Sequence, residues 1–342
     1  MALFTKFASN IEAMKSKLTV LYFSIWLGGT FWSVSGQFID VETAPKWYFA
    51  LFGGTFLCWM YGMSHFRSIP TTKKPHFTDI FLSISLCATA LAFHGLLQWS
   101  GLWTPQPMFP VCGNFDNPAG IASALAFSLP FSLHYTPSPC TSFRYTALAS
   151  TLFIACAIIA SESRAGILSM GCIFLLYFPM KWPKISKVLT FGLMILLAAS
   201  SVFLYHYKKD SADGRLLIWQ CTWNMIKERP LYGYGYGGFQ ANYMDEQAQF
   251  FRTHPNSRYA QLADDVKSPF NEYLGVLTEF GFIGGTAMLL CAVVLFRMWR
   301  KHPGGSSRPA LLCLTAIAVF SLFSYPFRYP HTWILCMGST LV

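Results

Sequence analysis

Four charged side chains stand where charge is costly. Arg164 lies in the tight connection Ser161-Glu162-Ser163-Arg164-Ala165-Gly166 between two apolar runs, Arg215 opens an amphipathic stretch, and Glu272 and Glu279 stand seven residues apart at the start of another apolar run. A guanidinium forks onto phosphate oxygens. A helix start adds free N–H groups and the positive end of the dipole, so Arg164 reads as part of an anion site for phosphate. The competing reading is a snorkelling cation paired with Glu162. With Asp213 as an N-cap candidate, Arg215 falls in the first turn of a helix, where the dipole disfavours it. An anionic partner would offset that cost, and a solvated arginine near the cap is the alternative. Carboxylates at the surface end of a membrane run are functional candidates by default. For Glu272 an acid that merely matches the dipole of the first turn stays open.

Other polar residues cluster around these four. Leu216, Trp219, Trp223 and Ile226 recur at i, i+3, i+7 and i+10, which is one face of a helix. Its Trp residues suit a headgroup layer, so the helix is expected to lie at the membrane interface. In Gly113-Asn114-Phe115-Asp116-Asn117-Pro118, the residues Asn114, Asp116 and Asn117 are turn and cap formers and Pro118 suits the first helical position. The same residues could form a rim contact for a polar substrate. Gly233-Tyr234-Gly235-Tyr236-Gly237-Gly238 matches G-x-G-x-x-G in form, but it follows an amphipathic helix and Pro230 where a nucleotide fingerprint needs a preceding strand. It reads as a flexible turn whose Tyr rings can stack on sugar faces or sit in the interface. His254 is the one histidine between residues 208 and 269. The ten cysteines lie mostly in apolar runs, Cys112 and Cys221 are the two expected on the outer side, where a disulfide would be allowed, and no Cys/His cluster has metal-ligand spacing.

These residues are positioned by a membrane scaffold. The chain has 342 residues, 54% hydrophobic and 12% charged, with a mean hydropathy of +0.40; soluble domains carry about 25% charge. Runs long enough to cross ~30 Å of hydrocarbon fall at 18–38, 47–66, 80–100, 119–135, 145–162, 165–180, 188–207, 273–298 and 310–325. A tenth begins at Thr332 with 11 residues remaining, so the chain is either truncated there or ends in a half-buried helix. The first run has no small-residue cleavage site and is expected to be retained. With a cytoplasmic N-terminus, the inside segments hold Lys6, Lys15, Lys17, Arg67, Lys73, Lys74, Arg144, Lys181, Lys184, Lys187, Arg297, Arg300, Lys301 and Arg308. The short outside loops hold only Lys46, Arg164 and Arg328, which fixes the expected orientation. The polar segment 208–269, with 15 of the 40 charged residues, then lies outside. The net charge of +10 follows from this asymmetry and is no sign of nucleic-acid binding. The expected architecture is an all-α polytopic membrane protein. It comprises a bundle of about 9–10 transmembrane helices with one large, partly helical extracytoplasmic loop: bundle 1–207, loop 208–269 and C-terminal helices 270–342.

Taken in order, Gly113–Pro118 before a span, Ser163-Arg164-Ala165-Gly166, Gly214-Arg215 with Trp219, Pro230–Gly235 with Phe239, Asn271-Glu272-Tyr273-Leu274 and Glu279-Phe280-Gly281 resemble a family: the O-antigen ligase and polymerase integral membrane glycosyltransferases. The resemblance covers about residues 113–285. It implies transfer of a glycan from an undecaprenyl-diphosphate carrier, at the outer face of the bacterial inner membrane, to a hydroxyl of lipid A-core, another glycan or a protein. It further implies diphosphate binding by Arg164 and Arg215, support from Asn114, Asn117, Trp219, Tyr234 and Asn271, and neither a cofactor nor a metal. One position departs from the pattern. Family ligases place a His just before the Asn that opens the span after the loop, and here that residue is Phe270. Either Glu272 or His254 then supplies the base for the acceptor hydroxyl, or a less demanding acceptor is used, or this branch is not a ligase of the usual kind. A polymerase of lipid-linked repeat units fits the same residues. A transporter or flippase would instead predict internal repeats, and a structural scaffold in an envelope complex is the remaining alternative.

Overall fold

The computed structural model describes residues 2–66, 77–104, 109–181, 186–207, 209–301 and 307–340. Arg67, Lys73, Lys74 and Lys184, four of the cations behind the expected orientation, and Lys208 at the start of the long loop lie outside the described residues. Among the described residues there is no strand. The helices are α1 (Ala2–Trp32), α2 (Ala44–Phe66), α3 (Phe77–Trp99), α4 (Pro118–His134), α5 (Thr141–Ala160), α6 (Arg164–Lys181), α7 (Ser186–Tyr207), α8 (Lys209–Glu228), α9 (Gly238–Thr253), α10 (Glu272–Lys301), α11 (Ser307–Ser321) and α12 (Pro330–Thr340). Three of them, over Phe77–Trp99, Thr141–Ala160 and Glu272–Arg300, are long and apolar enough to cross a membrane. Large apolar side chains such as Phe52, Phe191, Leu289 and Leu290 face outward, as in a helical membrane protein whose solvent is lipid.

The chain forms two compact units, one of Met1–Met170, Gly304–Ile317 and Arg328–Val342, the other of Gly171–Pro303 and Ala318–Phe327. In the first, α3 packs against α1, α4 and α5, and α12 packs on α4. Every residue of α4 from Gly120 to Leu133 is buried, which a helix apolar all round requires. Hydroxyls join the central helices: Ser85 Oγ lies 2.8 Å from Ser132 Oγ, Ser132 Oγ 3.1 Å from Ser150 Oγ, and Thr89 Oγ1 2.5 Å from Ser150 Oγ. Small residues permit the close approach, since a Cβ on Gly166 would stand 2.8 Å from Ala122 Cβ.

The first predicted run, 18–38, ends early, because α1 stops at Trp32. The buried Lys46 explains the stop. Its Nζ donates to the carbonyls of Ser33 at 2.9 Å, Glu42 at 2.6 Å and Asn114 at 2.7 Å and lies 5.0 Å from the Phe115 ring. An ammonium has three donors, and all three go to backbone carbonyls of the connections next to α1, α2 and α4, which would otherwise be bare in an apolar surround. Near it, burial alone would raise the Asp40 carboxyl, but the Thr43 N–H and the Arg328 guanidinium hold it below the usual range.

In the second unit α8 packs against α7, α9 and α10. The sequence places the amphipathic helix correctly and its limits wrongly. It begins at Lys209, so Asp213 is no N-cap: it is buried inside α8, accepts from Tyr205 Oη at 3.2 Å and lies 3.9 Å from Arg258. Arg215 accordingly sits in the second turn, where the dipole argument lapses. The buried face also differs in phase. Leu217, Ile218, Cys221 and Met225 form a core with Phe239, Tyr243 and Tyr259, while Trp223 is 47% exposed. The period was legible from apolar spacing, but the phase is set by packing on α9, which a helix lying flat on lipid would lack. Cys112 and Cys221 are both buried.

Candidate functional site

In the first unit the polar turn before α4 is a cap. Asn117 Oδ1 accepts from Ala119 N at 2.7 Å and Gly120 N at 3.3 Å, with Pro118 at the first helical position. Its Nδ2 donates to Tyr329 Oη at 3.1 Å, and that hydroxyl donates to Asp116 at 2.6 Å. Asn114 Nδ2 donates to the Trp32 carbonyl at 3.0 Å. Both asparagines therefore hold the turn in shape. Arg164 is the first residue of α6, half-buried, after Glu162 at φ +51° and a Ser163 hydroxyl that accepts from Gly166 N at 3.3 Å.

In the second unit Arg215, Trp219, Asn271 and Glu272 converge on two short non-α segments, 269–271 and 322–327, the second running into a 3₁₀ turn at Pro326–Arg328. Arg215 Nη1 donates to the Phe323 carbonyl at 2.7 Å, and its guanidinium lies 5.0 Å over the Phe270 ring. One turn on, Trp219 Nε1 donates to the Pro269 carbonyl at 2.9 Å. Asn271 caps α10, its Oδ1 accepting from Leu274 N at 3.1 Å. Glu272 Oε1 accepts from Phe327 N at 3.0 Å. A cation and a carboxylate are thus both bonded to the backbone of the segment 322–327. Phe270, which stands where family ligases carry a His, adopts φ +52°, a strained value for a bulky residue. Its ring reaches both Arg215 and, at 5.3 Å, Tyr325.

The segment 322–327 escaped the sequence reading, which ran the ninth apolar span to residue 325. α11 ends at Ser321. The pairs Tyr325-Pro326 and Tyr329-Pro330 were the available signal, since the residue before a proline is pushed out of the helical region.

The glycine-rich turn is stapled to α10. Tyr234 N donates to the Thr278 carbonyl at 2.9 Å, Gly235 N to the Glu279 carbonyl at 2.8 Å, and Gly237 N to Glu279 Oε1 at 3.0 Å. In return Phe282 N donates to the Pro230 carbonyl at 2.7 Å. The exchange repairs a break in α10 at Gly281, where φ is 60° and ψ −160°. Tyr234 is committed within the turn: its hydroxyl donates to Glu228 at 2.5 Å and Arg229 covers its ring at 4.5 Å. Burial, then the Glu228 carboxylate, pushes the phenol up to about 12. The ring open for stacking is Tyr236, 92% exposed.

His254 sits elsewhere. It ends α9, exposed, stacked on Phe250 at 4.7 Å with Nδ1 2.9 Å from Thr253 Oγ1, and it lines a cavity with Trp223 and Lys227. Among the described residues, that cavity is lined by neither Arg215 nor Glu272. Among the described residues no group of His, Cys, Asp and Glu could hold a metal ion.

Gly214, beside Arg215, has nothing within 4 Å of where a Cβ would be. Replacing a helical glycine by alanine lowers the entropy of the unfolded chain, so Gly214→Ala should raise the unfolding free energy by about 0.5–1 kcal/mol. Thermal melts of the purified protein in detergent would measure the shift.

The family model described as O-antigen ligase matches residues 149–289. No curated protein matches the chain.

Proposed function

From its place in the O-antigen ligase-related family, we propose that this membrane glycosyltransferase takes a glycan from undecaprenyl diphosphate and passes it to an acceptor hydroxyl at the outer face of the bacterial inner membrane. The acceptor oxygen bonds to the anomeric carbon, the bond from that carbon to the diphosphate breaks, and the hydroxyl proton passes to a base. Charge builds on the departing diphosphate, and positioned guanidinium groups stabilise it where it forms. Arg215 takes this role in its unit, held beforehand by the Phe323 carbonyl and the Phe270 ring. Arg164, at the start of α6, is the candidate anion contact of its own unit. The observation that carries the reading is the convergence of Arg215 and Glu272 on the segments 269–271 and 322–327.

That convergence favours Glu272 over His254 as the base, because His254 contacts Phe250 and Thr253 of α9 and lines a cavity that includes neither Arg215 nor Glu272. Purified protein in nanodiscs, given a glycan on undecaprenyl diphosphate and a lipid A-core or glycan acceptor, tests the choice. Glu272→Gln should slow transfer by about 10²-fold or more, and His254→Ala should leave the rate within about threefold. Full activity in Glu272→Gln with loss in His254→Ala would reverse the assignment. The product separates ligase from polymerase: a glycan on lipid A-core means the first, a longer carrier-linked glycan the second.

A further inference from the structure

Gln220, Trp223, Asn224 and Lys227 recur on α8 at i, i+3, i+4 and i+7 and share one face, about a third of a revolution from Arg215 and Trp219. This face is one wall of a cavity of about 780 Å³, closed on the other side by the end of α9 and the turn carrying His254 and Asn256. The volume lies in the range of small-ligand sites. Its chemistry is uneven in an informative way. The Trp223 indole, 47% exposed, stands with the Phe250 and Tyr259 rings among three carboxamides, and the Lys227 ammonium is exposed. A pyranose has the matching surfaces: an apolar C–H face for the indole and a ring of hydroxyls for the amides. An acyl chain would leave those amides without partners. No carboxylate lines the cavity, and Lys227 makes no ion pair among the described residues, so the ammonium sets the sign of the site. Asn224 is oriented beforehand, its Nδ2 donating to the buried Glu246 at 3.0 Å.

We propose that this cavity binds an anionic sugar residue of the acceptor, with Trp223 as the stacking platform and Lys227 as the contact to the negative group. The assignment rests on the transferase reading, in which the diphosphate end of the donor occupies the Arg215 face and leaves this face for the acceptor.

Saturation-transfer NMR on the full chain in nanodiscs tests it, with methyl β-glucuronide, glucose 6-phosphate and methyl β-glucoside as probes. At least one anionic sugar should bind about three- to fivefold more tightly than the glucoside, and whether it is the glucuronide or the phosphate identifies the anion. Trp223→Ala should weaken all three by about tenfold, with Trp223→Phe close to wild type. Lys227→Gln should remove the preference for charge. Arg215→Ala should change none of these affinities. Absence of saturable binding, or binding unaffected by Trp223→Ala, overturns the proposal. The transferase reading fails separately: Arg215→Ala would then transfer glycan at the wild-type rate, whatever the sugar titrations give.

Discussion

Arg215→Ala is expected to slow glycan transfer by about 10²–10³-fold, the equivalent of roughly 2.7–4 kcal/mol of transition-state stabilisation. The magnitude follows from where charge develops. The diphosphate gains negative charge as the anomeric bond breaks, and a guanidinium fixed in advance by the Phe323 carbonyl and the Phe270 ring has little reorganisation left to undergo. Removing it also strips a donor from a carbonyl at the site, which costs about 1–3 kcal/mol of folding free energy. The two effects separate by measurement. Transfer should fall by orders of magnitude while the melting temperature drops by a few degrees. Arg215→Lys keeps the charge and loses the planar fork, so it should recover only a small part of the rate. A variant that melts like Arg215→Ala but transfers normally would reduce Arg215 to a structural residue.

Gly281→Ala is expected to be the most damaging small substitution in the second unit. Gly281 occupies a backbone region, φ 60° with ψ −160°, that essentially only glycine adopts. An added Cβ would collide with the Leu231 carbonyl group and come within 2.7 Å of the Pro230 oxygen. Both obstacles are backbone, so no side chain can rotate away. The collision falls on the bonds that repair the break in α10, from Tyr234 N and Gly235 N in one direction and from Phe282 N and Ile283 N in the other. Strain together with loss of part of that ladder amounts to roughly 3–5 kcal/mol, or a fall in melting temperature on the order of 10 °C. Transfer should fall with it, because Glu279 holds the Gly237 N–H from the same helix that begins at Glu272. Gly214→Ala, with open space around it, provides the opposite sign in the same assay.

The helical class was legible because apolar runs and their spacing carry it directly. Each predicted run overlaps a helix, and the cap at Asn117-Pro118 was readable from residue types alone. What escaped was decided by partners far along the chain. The end of α1 depends on a lysine that reaches the Asn114 carbonyl, 68 residues on. The phase of α8 depends on α9. The role of Gly233-Tyr234-Gly235 as a staple depends on a break in α10 that the sequence marks only with Gly281. At the site, Arg215 and Glu272 could be singled out as charges in an apolar chain. The segment 322–327 that supports both was hidden inside an apolar run, because its carbonyl and N–H groups belong to every residue and leave no signature in side-chain type. Phe270 was visible as a departure from the family pattern, yet its left-handed backbone and its place over a guanidinium required coordinates.

The most direct measurement is mass spectrometry of carrier-linked glycans in cells lacking this protein, complemented with wild type or with Arg215→Ala. Glycan on undecaprenyl diphosphate should accumulate in the deletion, clear with wild type and stay high with Arg215→Ala, and the molecule that loses its glycan names the acceptor. A carrier pool that does not change on deletion would contradict the transferase account.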